Sequence, residues 1–352
     1  MRRLIESWLL FAGCVFAQAL GSARGPAVSG QLVFMTPIAG AVVPGPGAIY
    51  EIAVINTDGS GFRQLTNDGK FKFLPHFSPD GSRIAYTRFA VGQYGVPGAV
   101  TDIAIYDLAR GTETLSTHLG DAVQGTWSPS GNRIAFLSTN APTGIWTMDP
   151  DGTNLQQIAR SSGAVDDMQW GDIAWSSTDW ILFSVAQNVG GCFKVRIDKI
   201  RPDGSARTQV TDGGPNCTPP GFEQSGDADP GWSADGATIY SSRGFPAPPA
   251  GGPANATERK LYAFSSEAWY PGKPERDLSL ASEPSCIEGV PKGSPDGRYV
   301  ALFRMCFDTA TPKGGIYLTD AEGLYREFVV PGFGPDWNPR QGGPRPRGRE
   351  PH

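Results

Sequence analysis

EIAVINTDG (residues 51–59) is a run rich in β-branched residues that ends in a tight turn. The same pattern returns as GIWTMDPDG (144–152), RIDKIRPDG (196–204) and GIYLTDAEG (315–323). Each copy is typical of a β-strand followed by a turn. A pattern that recurs through a chain of 352 residues predicts a repeat architecture.

A second pattern alternates with the first and sets the number of repeats. It occurs as HFSPDGSRIAY (76–86), TWSPSGNRIAF (126–136), GWSADGATIY (231–240) and KGSPDGRYVAL (292–302). Its aromatic position, called the aromatic slot below, is occupied in turn by Phe77, Trp127, Trp175, Trp232, Gly293 (where the aromatic residue is lost) and Trp337. The intervals are 50, 48, 57, 61 and 44 residues, with four strand patterns in each unit. This spacing predicts an all-β fold, a six-bladed β-propeller of four-stranded antiparallel blades.

The two ends of the repeat region predict how the ring closes. Residues 31–35 (QLVFM) match a second strand, but no innermost strand precedes them. Residues 335–339 (PDWNP) match an innermost strand with nothing after it. We therefore expect the N- and C-terminal strands to share one blade, which removes the exposed sheet edges.

The repeats resemble the WD40-like (PD40) repeats of the TolB-like six-bladed propeller family. The shared form is W-S-P-D-G, then x-I-A-F, then I-Y-x-M-D-x-D-G, and the likeness covers residues 30–341. The resemblance implies a non-catalytic protein-binding scaffold in the bacterial cell envelope, with an envelope protein or lipoprotein as its partner. TolB itself carries an α/β domain before its propeller, which we expect this chain to lack.

Composition excludes several classes of protein. With 39% hydrophobic residues the chain can form a core, so wholesale disorder is not expected. The net charge of −5 argues against nucleic acid as a partner. Four arginines lie near the C-terminus, and we expect residues 342–352, rich in Gly, Pro and Arg, to form a disordered tail. We expect the protein to be a monomer.

The N-terminus predicts export. Two arginines follow Met1, residues 8–16 are apolar, and small residues come next, so we interpret residues 1–23 as a signal peptide cleaved near Ala19 or Ala23. Residues 11–14 (FAGC) also resemble a bacterial lipobox, which would make Cys14 a lipidated N-terminus and the only link to a membrane. The expected location is the periplasm or the outer membrane.

The remaining four cysteines predict two disulfides in an exported protein. Cys192 lies in the second-to-third loop of the fourth unit and Cys217 in the loop that leaves that unit. Cys306 and Cys286 lie in the second-to-third loop of the sixth unit and the loop that enters it. We therefore expect Cys192 to pair with Cys217 and Cys286 with Cys306. Four free, buried thiols are the alternative.

The connections divide between two faces of the ring. First-to-second and third-to-fourth turns are short, and their Asp and Gly residues are explained by tight-turn geometry. The other connections are long and irregular, and all open on the opposite face, called the long-loop face below. A scaffold that enlarges its loops on one side usually binds there. Candidate binding residues in these loops are Tyr94, Phe222 and Phe245.

A second group of candidates leads into the innermost strands and so approaches the central channel. It comprises His76, Asp172, Asp227, Asp229, Lys292 and Asp336. Carboxylates that converge from adjacent blades could hold a divalent cation or bind a cationic side chain. The alternative is that they cap strand ends and bond loop amides, and that His76 is simply packed. The tryptophans of the aromatic slot are expected to be wedges between blades.

Motifs for catalysis are absent from the sequence. It has no G-x-S-x-G elbow, no phosphate-binding loop and only three histidines, so no catalytic residue or cofactor is predicted. The alternative function is a propeller enzyme of the polysaccharide lyase or lactonase type, with a carboxylate and metal site at the channel mouth. A carbohydrate or peptidoglycan sensor without turnover remains a third interpretation.

Overall fold

The computed structural model describes residues 28–39, 48–93, 97–138, 143–161, 166–168, 172–189, 192–214, 225–245, 252, 258–282, 285–307 and 313–340. All regular secondary structure in these ranges is β-strand. Within them there is no helix that could cross a membrane. The predicted signal peptide (1–23), the lipobox at Cys14 and the tail (342–352) lie outside the described residues.

Four sheets contain four strands each, paired antiparallel in the order that the repeats predict. The first is formed by β25 (Phe333–Trp337), β1 (Gln31–Ala39), β2 (Ile49–Asn56) and β3 (Arg63–Gln64). The second is β4 (Lys72–Phe77), β5 (Arg83–Val91), β6 (Val100–Asp107) and β7 (Thr112–Leu115). The third is β8 (Ala122–Trp127), β9 (Ile134–Ser138), β10 (Gly144–Met148) and β11 (Gln156–Arg160). The fourth is β21 (Cys286–Gly293), β22 (Tyr299–Cys306), β23 (Lys313–Asp320) and β24 (Glu327–Val330).

The fifth sheet has nine strands, so the predicted six separate blades are not confirmed. It contains β12 (Asp166–Met168), β13 (Ala174–Trp175), β14 (Ile181–Val189), β15 (Cys192–Ile200), β16 (Thr208–Gln209), β17 (Ser225–Trp232), β18 (Thr238–Phe245), β19 (Glu258–Ser265) and β20 (Glu275–Asp277). A short parallel pairing of β15 with β17, at Lys194↔Ser225 and Val195↔Gly226, joins its two antiparallel halves. Gly226 permits this approach, because a Cβ there would lie 2.1 Å from the Val195 carbonyl oxygen.

The predicted closure is confirmed. β25 pairs antiparallel with β1, with Leu32 opposite Trp337 and Val33 opposite Asp336. The first and last described strands therefore lie in one sheet. This pairing covers the β1 edge that would otherwise be open.

A bulge that the repeat pattern does not predict interrupts the innermost strands. Three residues before the aromatic slot the backbone has a positive φ, at Leu74 (45°), Gln124 (60°), Asp229 (51°), Val290 (51°) and Gly334 (60°). Strand pairing shifts register at the same place, as between Phe73 and His76 in β4. Because a bulge re-aims side chains, residues on both sides of it can face the propeller axis.

The tryptophans of the aromatic slot join neighbouring inner strands, as predicted. The indole N–H of Trp127 donates to the His76 carbonyl (3.2 Å), that of Trp232 to Ala174 (3.1 Å) and that of Trp337 to Lys292 (2.9 Å). Trp175 differs, because its indole N–H donates to Asp179 in its own turn. Gly293 cannot carry such a wedge, since a Cβ there would lie 2.5 Å from the Trp232 carbonyl oxygen.

The short turns have the geometry that their sequence predicts. Ser78 donates through its hydroxyl to Asp80, and the amide of Ser82 donates to the same carboxylate. Hydrogen bonds from Ser78 and Ser82 lower the pKa of Asp80 to about 2. Gly81 adopts a φ of 64° in this turn. Asp80 therefore stabilises its own turn.

One of the two predicted disulfides is confirmed. Cys286 and Cys306 are bonded, and they lie directly opposite each other at the ends of β21 and β22. The alternative of free thiols is wrong for this pair. Cys217 lies outside the described residues, so the pairing of Cys192 with Cys217 stays a prediction.

Candidate functional site

Five of the six predicted channel residues come together at the propeller axis. His76, Lys292 and Asp336 each stand one residue before the aromatic slot, whereas Asp172 and Asp229 stand three residues before it. Side chains from different sheets thereby meet. We call these five residues the channel cluster.

Asp172 is the centre of the channel cluster. Its side chain is fully buried, and its two oxygens lie 3.0 Å from His76 Nε2 and 2.5 Å from Lys292 Nζ. Burial alone would raise the pKa of Asp172. The positive charge of Lys292 and the interactions with His76 outweigh burial and hold this pKa at about 2. Asp172 is therefore an ionised carboxylate with a partner on each oxygen.

The other two carboxylates are less well compensated. Asp229 accepts a hydrogen bond from the Asp172 amide at 3.0 Å, and Asp336 accepts one from the Phe77 amide at 2.8 Å. Asp336 Oδ2 also lies 3.9 Å from His76 Nδ1. Burial raises the pKa of both Asp229 and Asp336. These two groups are thus easier to protonate than ordinary aspartates.

Asp227 has different partners, although it stands only two residues before Asp229. Arg243 grips both oxygens of Asp227, at 2.7 and 3.0 Å, and also donates to Glu275 at 2.7 Å. Asp227 and Arg243 are both buried. This ion pair links β17 to β18 within one sheet and is separate from the channel cluster.

Gln124 is a buried polar residue that the sequence analysis missed. It occupies in β8 the position that Asp172 and Asp229 occupy in their units, three residues before the aromatic slot. Its side chain is completely buried, and neither its amide nitrogen nor its carbonyl oxygen has a hydrogen-bond partner within the described part of the chain. The shared repeat position was the signal that could have identified it.

A resident metal ion is not favoured by this geometry. Within the described ranges, no three His, Cys, Asp or Glu side chains are grouped so that they could hold a metal. The ammonium of Lys292 already neutralises Asp172. A divalent cation in the channel therefore stays a prediction that the arrangement does little to support.

Of the three predicted residues of the long-loop face, the structure describes only Phe245. Tyr94 and Phe222 lie outside the described residues. The prediction that Phe245 lies in a loop is wrong. Phe245 is the last residue of β18, because the hairpin extends to the pair Phe245↔Glu258. Its ring lies 6.3 Å from the Tyr262 ring and 5.2 Å from Lys260 Nζ. Phe245 is half-buried where the connection 246–257 begins.

A cavity of about 370 Å³ opens at the end of the channel away from the long-loop face, where the innermost strands enter their short turns. We call it the turn-side cavity. Every occupant of the aromatic slot lines it: Phe77, Trp127, Trp175, Trp232, Gly293 and Trp337. His76, Lys292 and Asp336 lie among its lining residues, so the cavity reaches the channel cluster.

Comparison with known proteins gives one consistent group of relatives. No protein-family profile matches the chain. A segment of 113 residues is 29% identical to the "Protein TolB homolog" of Chlorobium chlorochromatii, covering 32% of this chain and 24% of that protein. A segment of 136 residues is 31% identical to the "Tol-Pal system protein TolB" of Anaeromyxobacter sp. strain K, covering 38% of this chain and 29% of that protein. The matches thus span less than a third of the relatives' length.

Solved structures share the fold over most of the chain. TolB from Acinetobacter baumannii superposes with a TM-score of 0.60 at 18% identity, over 88% of this chain and 66% of that one. A putative TolB from Agrobacterium tumefaciens gives 0.55 at 14% identity, over 87% and 90%. An oligogalacturonate lyase in complex with manganese gives 0.51 at 12% identity, over 86% and 74%. At such identities these likenesses establish the propeller arrangement alone.

Proposed function

We propose that this chain, a TolB-like β-propeller, is a non-catalytic scaffold that binds another protein of the bacterial cell envelope through its long-loop face. The curated relatives include proteins named for the Tol-Pal system, which favours an envelope protein or lipoprotein as the partner. Export through residues 1–23 and a periplasmic or outer-membrane location belong to the same proposal.

The observation that carries the proposal is the pairing of the charged groups in the channel cluster. A hydrolytic or lyase site needs a base or a metal that is open to substrate. Here Asp172 is fully buried, with His76 against one of its oxygens and the ammonium of Lys292 against the other. The cluster therefore supports the structure of the channel better than it supports turnover.

We also propose that the propeller has six blades. The nine-stranded sheet divides naturally into β12 to β16 and β17 to β20, since only two residue pairs join the halves. Lining residues of the turn-side cavity come from the first sheet's β25, from β4 and β8, from both halves of the nine-stranded sheet, and from β21. This arrangement of innermost strands around one cavity is what six blades would produce.

Site-specific photo-crosslinking in the native cell tests the binding face. A benzoylphenylalanine placed at Phe245 should attach to one defined envelope protein. The matched control is Leu324, an exposed residue (74%) on a short turn of the other face, where no such adduct is expected. Adducts at neither position, or the same adduct at both, would refute the proposed face.

The enzyme alternative predicts a different result. Manganese or calcium bound to the purified chain in stoichiometric amount, and lost on the change Asp229→Asn, would favour a polysaccharide lyase or lactonase. Intact mass and N-terminal sequencing of the exported protein would distinguish cleavage near Ala19 or Ala23 from lipidation at Cys14.

A further inference from the structure

We propose that the turn-side cavity is a second binding site, which takes an arginine side chain presented by an extended segment of a partner protein. This goes beyond the proposed function, because that function uses the opposite face. Among the described residues, none from the long loops lines the cavity. It is lined by the ends of the innermost strands and by the first residues of their turns, such as Pro79, Ser128 and Ser294.

Charge at the cavity floor favours a cation. Asp336 is the most open charged group there, with 19% of its side chain exposed, against 8% for Lys292 and 6% for His76. The ammonium of Lys292 is bound to Asp172, which is fully buried below it. Two carboxylates thus face one ammonium, so the floor attracts a positive group and repels an anion. The Phe77 amide occupies only one of the two oxygens of Asp336.

The cavity walls suit a flat cation. Tryptophan faces bind guanidinium groups by cation–π attraction and stacking. Trp127 already makes one such contact outside the cavity, since the guanidinium carbon of Arg83 lies 4.5 Å from its ring centre.

The volume of the turn-side cavity and the residues at its rim favour a side chain on an extended peptide over a large ligand. A volume of about 370 Å³ is at the small end of ligand pockets, which suits one long side chain with its backbone. Pro129 and Pro339 form part of the apolar lining, against which an extended peptide can pack. Arginine is preferred to lysine because its planar guanidinium can stack on an aromatic ring and can form two parallel hydrogen bonds with one carboxylate.

The test uses the full-length exported chain and two synthetic peptides. The probe is acetyl-Gly-Pro-Arg-Pro-Gly-amide, and its control carries citrulline, which has nearly the same shape without the charge. Calorimetry and tryptophan fluorescence should show the arginine peptide binding at least about tenfold tighter, with an affinity that falls as salt rises. Equal affinity for both peptides, or no binding of either, would overturn the proposal.

Three variants locate the binding. Asp336→Asn should weaken binding at least tenfold, and Ala234→Trp, at an exposed lining position, should block the cavity while leaving the core intact. Asp203→Asn, an exposed turn residue on the same face outside the cavity, should have no effect. Thermal unfolding verifies that each variant is folded. Unchanged affinity in both cavity variants would refute the site.

A shortened chain ending at Arg340 separates the partner from the chain's own arginines. The full chain and the shortened chain should bind the probe equally well. If removal of residues 341–352 raised the affinity tenfold or more, the occupant would be that segment, and the assignment to a partner protein would be wrong. The crosslinking result at Phe245 is independent of each of these outcomes.

Discussion

At the scale of single residues, Lys292 shows how the channel tolerates a fully buried carboxylate. Its ammonium lies 2.5 Å from Asp172, whose side chain has no exposure. Replacing Lys292 by Met leaves this charge buried without its cation, which should lower the free energy of unfolding by about 3 to 5 kcal/mol. Urea denaturation at pH 7 measures the loss.

A double variant provides the control for Lys292. In the pair Lys292→Met with Asp172→Asn the buried charge is gone as well, so much of the stability should return. A Lys292→Met protein as stable as the wild type would contradict the ion-pair interpretation. A double variant no better than the single one would show that Lys292 acts by packing.

The pH dependence of stability should report on Asp172. Its folded pKa of about 2 lies below the ordinary 3.8, so the ionised group stabilises the fold above pH 4, and this contribution is lost as the pH falls towards 2. The difference corresponds to about 2 kcal/mol. Asp172→Asn should therefore be less stable than the wild type at pH 7, and the gap should narrow between pH 4 and pH 2. A gap that is constant over this range would contradict the depressed pKa.

At the scale of elements, the missing aromatic residue of β21 has a steric cause. A Cβ on Gly293 would meet the Trp232 carbonyl at 2.5 Å, whereas one on Gly297, in the following turn, would meet nothing within 4 Å. Gly293→Ala should therefore force β17 and β21 apart and lower the melting temperature. Gly297→Ala should cost only its left-handed backbone strain, about 1 to 2 kcal/mol. Equal losses in the two variants would contradict the close approach.

The disulfide between β21 and β22 should stabilise its blade measurably. Cys286 and Cys306 are 20 residues apart, and closing a loop of that size in the unfolded chain contributes about 3 kcal/mol. Replacing both cysteines by Ser should lower the unfolding free energy by roughly this amount. Reducing agent should destabilise the wild type by more than it destabilises the double Ser variant, which keeps Cys192 and Cys217. Hydrogen exchange would show whether the loss is confined to this blade.

At the scale of the whole molecule, the repeat explains what could be predicted. Strands, turns and closure follow from local sequence patterns. Residues at the same repeat position occupy equivalent places in their blades, which is why His76, Lys292 and Asp336 meet at the axis as expected. The bulge could not be predicted, because Leu74, Gln124, Asp229 and Val290 share no residue type. For the same reason the sequence alone groups Asp227 with Asp229, although Asp227 pairs with Arg243. The β15–β17 junction depends on contacts between units, which the repeat pattern does not encode.

Ring closure gives the last prediction, because β25 is joined to three sheets at once. It pairs with β1, Asp336 accepts from the Phe77 amide of β4, and Trp337, with 3% exposure, donates to the Lys292 carbonyl of β21. Deleting residues 333–352 should remove at least about 3 kcal/mol of stability, the cost of losing a core tryptophan, and broaden the thermal transition. Deleting only 341–352 is the control and should leave the transition intact. A synthetic peptide of residues 331–340 should restore the shortened chain, and a deletion that unfolds as sharply and at the same temperature as the full chain would refute closure by this strand.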